Sequence, residues 1–323
     1  MTTNDKPIDP DDLLCYGATS GKKDLCELAR EHGATHFDGA IECAAANKQF
    51  EICKLLLEWY PAGQELMFMT AAAHNDPTIC ALAREKGARN LNAAIASAAA
   101  NGYAQLCQTL LEWSVEMHAR VWLSNVFIEG AKHSQISICE LARDWMIKSS
   151  RAPYSFTSML CAAASSGHTK ICELAREWTQ KYNPSETWTA YFKVNKMLTC
   201  GAREGFAEIC ELAKKWGALK FDKMFVSAAR GGHCALCELA RDWAAQSEMG
   251  PLGPRDYARA YETARTFAHT FAMILDPVRP CPPETPHVFA NMATKLLGAE
   301  ESKDISRRYT EVVNLIDKWR AHS

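Results

Sequence analysis

Cysteine is the residue with the most chemical potential in this chain of 323 residues, which contains fourteen of them. A thiolate can act as a nucleophile or a metal ligand, and two thiols can form a bridge. The sharpest local pattern is His233-Cys234-x-x-Cys237, whose residue types suit zinc. Eight cysteines fall at one recurring place: Cys26, Cys53, Cys80, Cys107, Cys139, Cys172, Cys210 and Cys237. A catalytic nucleophile is one special residue with a base in reach and a pocket around it. Eight equivalent cysteines are a structural position, and Cys237 belongs to that series. No His-Glu-x-x-His, phosphate-binding loop or zinc-deaminase pattern accompanies them. The reading is therefore non-enzymatic, with no catalytic residue, no metal site and no cofactor. Disulfides between the eight are rejected too, because stacked helices lie about 8–10 Å apart, beyond the reach of a bridge.

The elements that position these cysteines are repeats. The intervals between the eight are 27, 27, 27, 32, 33, 38 and 27 residues, and a near-fixed period with insertions marks a solenoid. Residues 223–243, KMFVSAARGGHCALCELARDW, state the unit most fully. Fifteen residues before each cysteine stand Asp11, Asp38, Glu65, Asn92, Ser124, Thr157, Asn195 and Asp222. Most are good helix N-caps, and an apolar neighbour such as Phe37 or Phe221 fits a hydrophobic staple. A pair of small residues follows, as in Gly17-Ala18 or Ala228-Ala229, where helices can approach closely. Five before the cysteine, Gly21, Lys48, Asn75, Gly102, Ser134, Gly167, Gly205 and Gly232 stand where a left-handed residue would end the first helix. The second helix puts the cysteine and neighbouring Ile, Leu and Ala on one face. Each unit is a helical hairpin too small to bury its own face, so neighbours complete the core. The Glu after the cysteine and the Arg or Lys three later, as in Glu27 and Arg30, read as an ion pair on one helix.

Gly167-His168, Gly232-His233, Leu55-Leu56-Leu57-Glu58 and Gly33-Ala34, Gly87-Ala88 and Gly217-Ala218 carry a resemblance to the ankyrin repeat. It covers residues 11–243. The period is shorter than the family's roughly 33 residues, and the shortage falls where ankyrin repeats project a β-hairpin finger. The Thr-Pro-Leu-His opening is missing. The wording Cys-Glu-Leu-Ala-Arg-Glu-Trp also resembles arrays from large DNA viruses, marseilleviruses among them. The resemblance implies an all-α solenoid of about eight ankyrin-like hairpins with fingers reduced or absent, followed by C-terminal helices.

Three divisions follow: a disordered N-terminus at 1–10, repeats at 11–243, and a segment at 244–323 that caps the array or acts as an effector. Insertions near 114–122, 146–155 and 179–193 lengthen three loops. After Trp243, helices are expected at 255–275, 287–297 and 302–321, with a Pro-rich turn between the first two. Pro282-Pro283-Glu284 bears a faint similarity to the start of an F-box-like segment. The formal net charge of −2 gives no general case for nucleic acid. No apolar run reaches membrane-spanning length, and the N-terminus lacks a signal-peptide pattern. A cytoplasmic protein is expected, in the host cytoplasm if viral, with a virion location as the other reading; a monomer is favoured.

The ankyrin resemblance implies binding of another protein through a concave face. The candidates are Lys132, His133, His168, Arg203, Phe206, Arg230 and His233 on that face and its turns, with Tyr182, Trp188, Tyr191 and Phe192 in the largest insertion. Six tryptophans, Trp59, Trp113, Trp145, Trp178, Trp216 and Trp243, stand six after the cysteine and are either core or a recognition stripe. The expected role is a non-catalytic scaffold or adaptor, viral and host-directed by the same resemblance, with no nucleic-acid or membrane partner. The alternatives are a structural virion component and a ubiquitin-ligase substrate adaptor acting through the C-terminal segment.

Overall fold

The computed structural model describes residues 9–149, 156–182, 191–275 and 299–320. Among these residues there are eighteen α-helices, one short 3-10 helix and no strand. No described helix is long and apolar enough to cross a membrane. The chain divides into two compact units, Met1–Ala152 and Pro153–Ser323.

The first unit holds five helical hairpins. They are α1 (Pro10–Ser20) with α2 (Lys23–Glu31), α3 (Phe37–Ala46) with α4 (Phe50–Trp59), α5 (Gln64–Ala73) with α6 (Pro77–Glu85), α7 (Leu91–Ala100) with α8 (Ala104–Glu116), and α9 (Leu123–Lys132) with α10 (Ile136–Lys148). The second unit holds α11 (Thr157–Ser165) with α12 (Thr169–Tyr182), α13 (Tyr191–Glu204) with α14 (Ala207–Lys215), α15 (Phe221–Gly231) with α16 (Cys234–Ala245), and then α17 (Pro254–Leu275) with α18 (Ala299–Arg320). Within each unit the first helix of a hairpin packs on the first helix of the next. The expected helix at 287–297 and the Pro-rich turn lie outside the described residues, as do residues 1–8.

The hairpin turn is the same eight times. The residue five before the cysteine has positive φ in every repeat, from 54° at Asn75 to 90° at Gly205. The next N–H donates to the carbonyl five residues back, as in Gln49 to Ala44 and His233 to Ala228. That is the hydrogen bond of a left-handed helix stop. The cysteine then buries against the first helix. Cys107 and Cys210 lie 3.8 Å from the carbonyls of Ile95 and Leu198, twelve residues earlier, as weak S–H donors. Burial pushes these thiols up, to about 12 for Cys107 and Cys210, which makes them inert. The small pair explains itself at the same contact. A Cβ on Gly17 would lie 2.8 Å from the Cys26 Sγ, and one on Gly201 2.6 Å from Ile209.

Three expectations need correction. The polar residue fifteen before the cysteine does not cap its own helix. In six hairpins it is the second helical residue, and at Asp11, Glu65, Asn92 and Asn195 its side chain reaches forward to the loop entering the next hairpin. Asp11 Oδ1 accepts from the backbone N–H of Thr35 and His36. Glu65 accepts from Arg89 and Asn90, and Asn195 from Leu219 and Lys220. These brackets hold the tight loops that join one hairpin to the next. The basic residue four after the cysteine does not serve the expected ion pair either. It lies over the tryptophan of the next hairpin: Arg30 on Trp59 at 4.7 Å, Arg84 on Trp113 at 4.8 Å, Arg176 on Trp216 at 4.7 Å and Lys214 on Trp243 at 4.3 Å. The insertions, finally, lengthen second helices as well as loops: α8, α10 and α12 run 13, 13 and 14 residues, against 9 in α2, α6 and α14.

Candidate partner-binding groove

The first helices of the second unit face outward with residues two turns apart. On α13 these are Lys196, Thr199, Cys200 and Arg203; on α15 they are Lys223, Val226, Ser227 and Arg230. Each set follows the i, i+3, i+4, i+7 spacing of one helix face. Together with Arg259 of α17 they line a groove of about 410 Å³. Its five cations are exposed and its lining includes no carboxylate. Arg203 is also held by Glu204, with Nε 2.7 Å from Oε1, so part of its charge is answered at the rim.

Two of the residues read from the sequence, Arg203 and Arg230, meet in this groove. Lys196 and Lys223 were missed, although they stand seven residues before those arginines and share their face. Arg259 was missed because α17 does not carry the repeat wording. Phe206 and His233 go elsewhere. The Phe206 ring would meet a Cβ on Gly167 at 2.8 Å. The His233 ring lies against Gly205, and its Nε2 is 3.1 Å from the Arg203 carbonyl. Burial lowers the His233 pKa, which keeps the ring neutral. Both side chains are spacers between hairpins. His168 is half-buried at the equivalent turn.

Lys132 and His133 lie on α9 in the first unit. The Lys132 Nζ is 2.9 Å from Glu129 Oε1 and the His133 Nε2 3.8 Å from Oε2. Tyr182 ends α12 and packs its ring on Phe156, 6.5 Å between centroids. Tyr191 and Phe192 open α13; their side chains, and Trp188 altogether, lie outside the described residues.

The tryptophans pack. Trp178 and Trp243 are 3 % and 8 % exposed, each edge-on to a phenylalanine that begins its own hairpin, Phe156 and Phe221. The other four are half-buried. His233, Cys234 and Cys237 do not converge: Cys237 Sγ points to the Phe225 carbonyl at 3.9 Å, while His233 faces Arg203. Among the described residues, no cluster of three or more His, Cys, Asp or Glu side chains could hold a metal ion.

No protein-family model matches the chain, and no curated protein matches it.

Proposed function

We propose that this chain is a non-catalytic, ankyrin-type scaffold that binds an acidic segment of a protein partner along the groove of α13, α15 and α17. One observation carries the reading: five exposed cations, Lys196, Arg203, Lys223, Arg230 and Arg259, line a single groove without a lining carboxylate. A chain of net charge −2 that gathers cations on one face has a surface for a negatively charged ligand. The ankyrin assignment rests on the recurring left-handed turn, the paired small residues and the ordered packing of first helices. The viral, host-directed setting rests on the wording of the repeats.

The helices α17 and α18 serve as a cap in this reading. Tyr309 takes the place that His233 has one hairpin earlier, and Trp319 receives Arg241 at 4.5 Å as Trp243 receives Lys214. A pair of helices built into the packing scheme is a terminal repeat that shields the end of the row. The Pro282-Pro283-Glu284 stretch on which a ligase adaptor would depend lies outside the described residues.

The test is titration of a fluorescent polyglutamate peptide, with single-stranded RNA and duplex DNA of equal charge in parallel. Peptide binding that weakens with salt and is lost in Arg203→Glu/Arg230→Glu, with the melting curve retained, supports the reading. Preferential binding of either nucleic acid, or peptide binding indifferent to the double substitution, overturns it.

A further inference from the structure

Trp113 and Trp145 stand at the same place in successive hairpins, after Cys107 and Cys139. Each borders a hollow built from the same positions. The Trp113 hollow is lined by Ala81, Arg84 and Glu85 of the preceding hairpin. The Trp145 hollow, about 400 Å³, is lined by Gln108 and Glu112, which take the places of Ala81 and Glu85. The residue in the place of Arg84 is Leu111, which is fully buried in the core. The first hollow therefore carries its own arginine and the second does not. We propose that the Trp145 hollow seats an arginine side chain of a basic protein partner, stacked on the indole with its guanidinium turned to Glu112.

The repeats supply the template. A cation of the preceding hairpin lies over the ring of Trp59, Trp113, Trp216, Trp243 and Trp319. All but Lys214 are arginines. Of the six tryptophans in the cysteine series, Trp145 alone follows a hairpin with no Arg or Lys at that place. Among the described residues no cation lies over its ring. The half-buried indole thus keeps the electron-rich face that attracts a guanidinium.

The charges around the ring suit the same occupant. At Trp113 the stacked Arg84 also reaches a carboxylate, with Nη2 2.8 Å from Glu116 Oε2, so that seat combines a ring with an anion. The Trp145 hollow has two carboxylates, Glu112 and Asp144, against one ammonium, Lys148. Asp144 Oδ1 already meets Arg143 Nε at 2.8 Å. The exposed Glu112 accepts at Oε1 from a neutral group, the Gln108 amide at 3.1 Å, and keeps acceptor capacity for a charged donor. Leu141 and Ile147 line the hollow too and offer an apolar wall to the methylenes of a long side chain. Arginine fits better than lysine, because its planar head stacks on a ring while donating sideways to a carboxylate. Trp145 also borders a second hollow, of about 340 Å³, with Val115 and Val121, an apolar shelf for a neighbouring residue of the partner. The seat belongs to the first unit and does not rest on the acidic-segment reading of the cationic groove.

The test uses the full chain, isotope-labelled at the tryptophan indole nitrogens, with the Trp145 resonance assigned by Trp145→Phe. N-acetyl-arginine methylamide is titrated in, and the lysine and norleucine derivatives in parallel. The expected result is a saturable shift of the Trp145 resonance with the arginine derivative, about threefold tighter than with lysine and absent with norleucine. Glu112→Gln, which keeps the shape and removes the charge, should weaken the arginine derivative about threefold with the melting curve retained. A Trp145 resonance that stays still up to the solubility of the arginine derivative, or moves equally with norleucine, overturns the seat. Tighter binding of lysine overturns the choice of arginine, and unchanged affinity in Glu112→Gln overturns the role of that carboxylate.

Discussion

The hydroxyl of Tyr309 donates a 2.7 Å hydrogen bond to the carbonyl of Arg230, across 79 residues of chain. One hairpin earlier His233 makes the same reach to the Arg203 carbonyl. Trp319 reinforces the join, packing on Phe225 at 6.0 Å and on Tyr257 at 6.4 Å between ring centroids. If α17 and α18 cap the second unit, Tyr309→Phe should cost about 1 kcal/mol, the usual net worth of one hydrogen bond. Trp319→Ala should cost about 3 kcal/mol. Chemical denaturation of each variant checks this; unchanged midpoints would mean that the helix docks weakly and is free for another task.

The left-handed turn residues give a second prediction. Lys48 and Ser134 hold φ near 58° with a side chain attached, a conformation that strains any L-residue with a Cβ. Lys48→Gly and Ser134→Gly should each stabilise the protein, by about 0.5–1 kcal/mol after glycine's extra unfolded-state freedom is subtracted. Gly167→Ala should do the opposite and more strongly, because φ is 78° and the added Cβ would meet the Phe206 ring at 2.8 Å. Thermal melts should separate the two groups in sign.

Asp11 sets a pH dependence. The backbone N–H groups of His36 and Thr35 hold its carboxyl below the usual carboxylate value. A folded pKa below the unfolded one means stability that is complete above roughly pH 4 and is lost as pH falls through the folded value. In Asp11→Asn the amide oxygen can accept the same two bonds at any pH, as Asn195 does from Leu219 and Lys220. Acidification from neutral towards pH 3 should therefore lower the wild-type melting temperature more than that of the variant. Parallel curves would place the bracket outside the energetics.

Much of this was legible in the sequence because repetition averages out local ambiguity. The period, the two helices, the small pair and the left-handed turn each appear eight times, and a signal stated eight times survives an aberrant Lys48 or Ser134. What was not legible is what joins one hairpin to the next. Asp11 and Glu65 look like caps by type, since the same oxygen that caps a helix can bracket the following loop; only the backbone's path decides. Arg30 has a carboxylate on its own helix and a tryptophan on the next, and the sequence names the first while the fold selects the second. The groove was half visible: Arg203 and Arg230 recur seven residues before the cysteine, whereas Lys196 and Lys223 sit two turns earlier and Arg259 comes from a helix outside the wording. The helix that carries Tyr309 and Trp319 has no cysteine phrase, but its tryptophan keeps the interval: Trp319 follows Tyr309 by ten residues, as Trp243 follows His233.

The final prediction decides whether the tryptophans hold the hairpins together or wait for a ligand. Arg84 lies over Trp113 at 4.8 Å and also meets Glu116, Nη2 to Oε2 at 2.8 Å. Its side chain is 29 % exposed and that of Glu116 58 %, so the ion pair is screened and contributes little. The stacked guanidinium is the stronger link, about 0.5–1 kcal/mol for a partly exposed cation on a tryptophan face. A double-mutant cycle with Arg84→Ala and Trp113→Leu isolates that coupling, because leucine fills part of the volume but offers no ring face. Coupling near 1 kcal/mol in the unfolding free energy is expected, with a smaller value for Arg84 and Glu116. Zero coupling, together with a wild-type melting temperature in Trp113→Leu, would move Trp113 from scaffold to recognition surface.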